Sequence, residues 1–273
     1  MINNDVTAAI CTKNAEANLE LCLKNLKKLE LNKIIAVDAE SVDKTQQILK
    51  SYEVEIFNDF FKTLGGARSI AVDKTKTKYI LFLGPDNLIN KESIKLLKSE
   101  MSQNNWIGIA PLQKVYEPKG YLLNSLNIYK SAKITTGAKN VIGTPQLYLS
   151  EILKKNNYNP KMHYSDDTEL GDRLNNLKFK IGVGNADSYE IGEDTTYDIF
   201  KRWKLYGKSD KDFHNLKKRD WSNWHKFKSL ISPFKKDFLN IIFANNLNIH
   251  KKIYIIPFLF LILISRYIGR FKS

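Results

Sequence analysis

Asp86 follows an unbroken apolar run, YILFLGP at 79–85, that closes on Gly84-Pro85. A carboxylate placed there suits a divalent cation and, through the cation, a phosphate. Asp is also common as a turn opener or a helix cap, here ahead of a helix near Lys91. Asp38 ends a second apolar run, KIIAVD, and Thr12 and Asn14 end a third, VTAAICTKN. Arg68 comes just after Gly65-Gly66. A guanidinium is an always-charged, bidentate partner for phosphate oxygens, and a helix opening there would add unpaired amides. The plainer alternative is a surface Arg on an amphipathic helix. The last constellation is SDDTELGDRL at 165–174, with Asp166 and Asp167 adjacent before a helix near Thr168. Converging carboxylates raise one pKa toward the range a general base needs, or simply complement a helix N-terminus.

The elements that must position these groups follow from periodicity. Short apolar runs bounded by turn signals suit strands buried on both faces. The segments 6–12, 33–38, 54–57 and 79–83 read this way. Between them, Leu19, Cys22, Leu23, Leu26 and Leu29 recur at helical spacing, with Asn14 as a possible cap, and helices are expected around Ile48-Leu49 and after Ala67-Arg68. Strands alternating with helices imply crossover connections and an α/β fold with a mostly parallel sheet. Parallel strands put their carboxyl ends on one edge, so Thr12, Asn14, Asp38 and Asp86 should line one crevice.

The chain of 273 residues carries a net charge of +14, which suggests a nucleic-acid binder until its distribution is read. Residues 1–200 hold 26 Lys+Arg against 25 Asp+Glu; residues 201–273 hold 17 against 4. A nearly neutral body therefore precedes a strongly basic region, with a boundary expected near 200. Two cysteines, Cys11 and Cys22, form neither a disulfide framework nor a ligand cluster, which points to a reducing compartment. No leader pattern signals secretion.

Four segments, in order and at matching separations, resemble family-two glycosyltransferases of the GT-A fold. They are AICTKNAEANLELCL, IIAVDAESVDKT, LGGARSIAVDKTKTKYILFLGPDN and the acidic motif at 165–174. The resemblance covers roughly residues 5–210. It implies a Rossmann-like sheet flanked by helices. It also implies transfer of a sugar from a nucleotide-diphosphate sugar to an acceptor hydroxyl or phosphate, with inversion. It places Thr12, Asn14 and Asp38 at the base and ribose, Arg68 near the phosphates, Asp86 on Mg²⁺ or Mn²⁺, and Asp167 as general base beside Asp166. The sequence departs from the pattern twice. Ala39 stands where a second, base-facing acid is usual, with Glu40 as a neighbouring substitute. Gly84 stands where the metal motif has its first acid. Segment 140–160 resembles the acceptor-facing loop and short strand-helix, with a turn at Gly143 and Pro145; 111–139 has no match and is expected to carry acceptor specificity or a lid. His163 lies near the acid pair, where a lone His is more often structural.

The basic region holds Trp203, Trp221 and Trp224, then the apolar segment IYIIPFLFLILIS at 253–265, followed by Arg266. Thirteen helical residues at about 1.5 Å each fall short of a hydrocarbon core of about 30 Å. Interleaved Trp and Lys suit a helix lying in a membrane interface or re-entering it, and a helix buried against the body is the alternative. The sequence therefore reads as a catalytic domain over 1–200 and a helical extension over 201–273, held peripherally on the cytoplasmic face by anionic lipid. The acceptor would then be a glycan or a lipid-linked group. Three other functions compete. A sugar-phosphate nucleotidyltransferase would need a glycine-rich loop after the first strand, which CTKNAEAN lacks. A degenerate transferase acting as a scaffold would explain Ala39 and Gly84. Nucleic-acid binding would leave the apolar segment unexplained.

Overall fold

The structure is a computed structural model that describes residues 3–163, 165–217 and 219–272. Its elements begin β1 (Asn3–Thr12), α1 (Glu16–Lys27), β2 (Leu31–Asp38), α2 (Thr45–Ser51), β3 (Glu55–Asn58), α3 (Leu64–Lys74) and β4 (Tyr79–Leu83). They continue β5 (Asn87–Ile89), α4 (Lys91–Asn104), β6 (Gly108–Val115), α5 (Gly120–Lys133), β7 (Gly137–Lys139) and β8 (Gln146–Leu149). Next come α6 (Ser150–Lys155), α7 (Asp166–Asn176), β9 (Ile181–Glu190), α8 (Thr196–Lys217) and α9 (Asn223–Phe234). A π-helical turn (Lys235–Leu239), α10 (Asn240–Ile242) and α11 (Ile249–Phe271) complete the chain. These form two compact units: residues 1–113 with 136–191, and residues 114–135 with 192–273.

In the first unit a sheet runs in the order β3-β2-β1-β4-β8-β6-β9-β5, with β7 also on β9. The expected parallel arrangement holds for β3, β2, β1 and β4. Beyond β4 the sheet is mixed, because β8 joins β4 and β6 antiparallel and β9 takes β5 and β7 the same way. All five residues of β4 are buried, as its unbroken apolar run requires. Leu19, Cys22, Leu23 and Leu26 of α1 and Ile94, Leu97 and Met101 of α4 join Leu81 and Leu83 in one core cluster. The parallel register aligns Thr12 with Asp38, and Asp38 with Asn58, along one sheet edge. The antiparallel register sets Gln146 opposite Phe82, so the start of β8 meets the carboxyl end of β4.

Several local expectations are corrected. Asn14 does not cap α1; Ala15 stands at the cap without a side-chain bond, and Asn14 adopts a positive φ of 48°. The cap of α4 is Asn90, whose side chain accepts from Ser93 N, so Asp86 is not used there. Helix α7 opens at Asp166, two residues before the expected start.

The second unit is helical. Leu126 and Tyr129 of α5, Ile199 and Trp203 of α8, and Phe258, Leu259 and Ile262 of α11 share its apolar core. Helices α8 and α11 approach so closely that a Cβ added at Gly207 would lie 1.9 Å from the Arg266 carbonyl oxygen. One at Gly269 would lie 1.9 Å from that of Lys204. Asp237 is fully buried and accepts from Tyr129 Oη and Lys133 Nζ, each at 2.7 Å, and from Arg266 Nη1. Arg266 also grips both oxygens of Asp210, at 2.6 and 2.8 Å. The helix thus runs past the apolar segment 253–265 and through Arg266, because two carboxylates neutralise it. At 23 residues α11 is long and apolar enough to cross a membrane, which removes the length argument drawn from its apolar segment.

Candidate active site

The carboxyl ends of β1 and β2 are stitched together by side chains. Asp38 is buried and its two oxygens accept from Thr12 Oγ1 (2.8 Å), Ser41 N (2.9 Å), Ser41 Oγ (2.6 Å) and Gln46 Nε2 (2.8 Å). Burial raises its pKa, but these donors outweigh burial and hold it below the usual carboxylate range. Asn14 N donates to Ser41 Oγ, and Asn14 Oδ1 accepts from Val42 N. Ala15 N and Glu16 N donate to Thr45 Oγ1 and Asp43 Oδ2. The motif residues Ser41, Asp43 and Thr45 therefore join two loops into one cradle, with Asp38 as its knot. Glu40 lies outside this network, exposed beside Lys62 at 2.6 Å. Asp59, just past β3, is a buried acid that the sequence reading missed because that strand was ended at Phe57. Burial raises its pKa.

After β4 the chain turns tightly, with Asn87 N on the Gly84 carbonyl (3.1 Å) and Gly84 N on Asn87 Oδ1 (2.8 Å). Asp86 sits half-buried in this turn. A Cβ at Gly84 would come 2.5 Å from Asp86 Oδ1, so this pose of Asp86 excludes an acid at 84. Among the described residues no three His, Cys, Asp or Glu side chains gather as a metal-binding group. Asp86 offers one carboxylate, which matches the way Mg²⁺ and Mn²⁺ are held by one or two carboxylates, substrate phosphates and water.

Arg68, Asp166 and Asp167 converge. Arg68 Nη1 donates to Asp166 Oδ2 at 2.6 Å and to Asp167 Oδ1, while Nη2 donates to Thr144 Oγ1. Its guanidinium carbon lies 5.9 Å from the Phe82 ring and 5.5 Å from the Tyr158 ring. The group is buried, so the phosphate role expected for it meets a guanidinium already committed to carboxylates. The amides expected to bind phosphate at the start of α3 are also taken. Gly65 N donates to the Met162 carbonyl, Gly66 N to Thr63 Oγ1 and Ala67 N to the Thr63 carbonyl. Gly65-Gly66 serves close approach instead: a Cβ at Gly65 would lie 2.3 Å from the Asn159 carbonyl oxygen.

The two acids differ in access. The Asp166 side chain is 2% exposed and that of Asp167 24%, so Asp167 is the carboxylate a ligand can reach. Burial, reinforced by the Asp167 charge and opposed by Arg68, lifts Asp166 to about 6. Gln146 Nε2 donates to Asp167 Oδ1 and to Tyr158 Oη, both at 2.9 Å. Thr144, Gln146 and Tyr158 were not singled out from sequence. The available signal was Gln146, a buried amide opening an otherwise apolar strand, QLYL. His163 is exposed, and burial pushes the Cys11 thiol up to about 12. A separate cleft of about 640 Å³ is lined by Glu100, Trp106, Thr136 and Asn185. It shares no residue with this site, and its Glu100 is satisfied by Asn185 N and Nδ2.

Comparison with known proteins is consistent with this arrangement. No curated protein gives a significant match. Among solved structures, S. aureus TarS 1–349 superposes with a TM-score of 0.55 at 15% identity, covering 96% of this chain and 80% of that one. Glucosyl-3-phosphoglycerate synthase from Mycobacterium tuberculosis, solved with Mg²⁺ and UDP, gives 0.56 at 14% identity over 79% of each chain. These likenesses establish the fold. Residues 7–161 match the family described as glycosyl transferase family 2. That match spans more than half the chain and takes in the cradle, the β4 turn and Arg68. The chain is therefore a member of glycosyl transferase family 2, a glycosyltransferase with the GT-A fold.

Proposed function

We propose that the protein moves a sugar from a nucleotide-diphosphate donor to an acceptor hydroxyl with inversion, and that Asp167 is the general base. One observation carries this reading. Asp167 is the accessible member of a carboxylate pair fixed by Arg68 and Gln146, and Gln146 pairs with Phe82 near the carboxyl end of β4. The acceptor oxygen would attack the anomeric carbon as its bond to the diphosphate oxygen breaks, and the acceptor proton would pass to the Asp167 carboxylate. Arg68 positions that carboxylate rather than the phosphates. The stitched loops around Asp38 form the nucleoside cradle, with Asn14 and Glu40 at its rim and Thr12 inside it. Asp86 would hold Mg²⁺ or Mn²⁺, and a bound cation would supply charge neutralisation of the leaving diphosphate. With a single carboxylate from the protein, the cation binds together with the nucleotide and weakly without it.

Uridine diphosphate sugars are the first donors to test, since TarS is solved with UDP-GlcNAc and the mycobacterial synthase with UDP and Mn²⁺. Asp167→Asn is expected to lower transfer by a factor of about 10²–10⁴ while nucleotide-sugar binding by calorimetry changes less than about threefold. Equal loss of both would overturn the base assignment. A second reading, a binding module without turnover, is favoured by Gly84 and Ala39 standing where the family has acids. Release of free nucleotide diphosphate during incubation with donor and acceptor excludes it.

A further inference from the structure

Helix α9 carries an apolar stripe at Trp224, Phe227, Ile231 and Phe234, the spacing of one helical face. In a folded unit such a stripe is normally the buried one. Here all four residues are exposed, and the buried member of the helix is Pro233. The outer face of α11 repeats the pattern with Ile253, Phe260, Ile264 and Phe271, each at least half exposed. The two stripes are continuous: Phe234 stacks on Phe238 with centroids 5.5 Å apart, and Phe238 meets Phe260 at 5.1 Å.

The two helices and the turn between them are rich in positive charge. Residues 221–273 contain nine Lys or Arg and a single acid, Asp237, which is fully buried. Lys228 lies over the Trp224 ring at 5.1 Å, and Lys235, Lys236 and Lys251 are exposed beside the stripes. Exposed aromatic and aliphatic side chains among lysines, with the exposed carboxylate of Asp220 lying before α9 and outside both helices, are complementary to an anionic lipid headgroup layer over hydrocarbon. A second copy of the chain would bring like charge against like charge. Nucleic acid would match the lysines but leave Ile231, Ile253 and Ile264 in water.

We infer that α9 and the outer face of α11 form a docking surface for an anionic bilayer, on which α11 lies without spanning. The inner face of α11 supports this geometry. Ile255, Phe258, Leu259 and Ile262 are packed in the unit's own core, and Arg266 is held by Asp210 and Asp237. This inference is independent of the sugar-transfer reading, because its test measures no chemistry.

The test is flotation of the full-length protein with vesicles of phosphatidylcholine alone or of equimolar phosphatidylcholine and phosphatidylglycerol. The protein should float with the anionic vesicles, stay behind with the neutral ones, and be released by alkaline carbonate. Phe227→Ser with Phe260→Ser should lower partitioning at least about tenfold, as should Lys228→Glu with Lys235→Glu. These are surface positions, and an unchanged melting temperature shows that the fold is intact. Binding indifferent to lipid charge or resistant to carbonate overturns the inference. So does lipid-free dimerisation abolished by the serine pair, or RNA binding without vesicle binding.

Discussion

Under the proposed reaction, Arg68 and the two aspartates should set opposite pH responses for stability and transfer. Burial, with the neighbouring Asp167 charge, outweighs Arg68 and pushes the Asp166 carboxyl up to about 6 from 3.8. A folded-state pKa above the unfolded one contributes stability that is complete below about pH 4 and lost as pH rises through about 6. The fold should therefore gain on the order of 1–3 kcal/mol on acidification across that window. Transfer should move the other way. Once Asp166 is protonated, Asp167 is the one charged carboxylate left on Arg68, which should hold the proposed base away from the acceptor. Melting temperature and transfer rate measured from pH 4.5 to 8 should cross in this sense, and Asp166→Asn should flatten both profiles. Parallel fall of the two with acid would remove Asp166 from the mechanism. Sequence showed the acid pair but not its partner. Residues 98 and 99 positions apart come together only after α3 and α7 have packed, and no local pattern encodes that.

At the scale of elements, what the sequence revealed tracks how the chain buries itself. The strands β1, β2 and β4 were legible because each is buried on both faces and closes on a turn or an acid. The strands β5 and β7 have three residues each, too few to show a period. The antiparallel addition of β8, which delivers Gln146, was invisible for a related reason: a four-residue strand takes its direction from its partner. The apolar segment of α11 was read as thirteen residues because Arg266 ends the run, and the partners of Arg266, Asp210 and Asp237, lie 56 and 29 residues away. The contact that fixes this helix is the crossing at Gly207 and Gly269. Each added Cβ would strike a backbone carbonyl, which cannot rotate aside as a side chain can. Gly269→Ala should destabilise the helical unit by about 2–3 kcal/mol. Denaturation followed by tryptophan fluorescence reports this unit, since three of the four tryptophans lie in it. A midpoint unchanged from the wild type would show that the helices part without penalty.

For the whole molecule, composition and packing divide the chain in different places. Charge marks a boundary near 200, whereas the compact helical unit also takes in residues 114–135. Helix α5 belongs there because Leu126, Tyr129 and Ala132 share a core with Ile199, Trp203, Phe258 and Ile262. Tyr129 and Lys133 also bind the buried Asp237. A chain cut after residue 200 keeps α5 but loses Trp203, Asp237 and all of α11. Each large side chain thereby uncovered forfeits about 1.5–3 kcal/mol of burial, and the helix is left with an apolar face toward water. Residues 1–200 alone should therefore elute from size-exclusion chromatography as aggregate and bind a hydrophobic dye. Removing 114–135 as well, with a flexible linker joining 113 to 136 and the chain ending at 191, should restore a monodisperse protein. The remaining residues form a compact unit that retains the cradle, the β4 turn and the Arg68–Asp167 pair. If the 1–200 fragment is itself monodisperse and dye-free, α5 does not depend on the helices that cover it, and the boundary drawn by charge is the physical one.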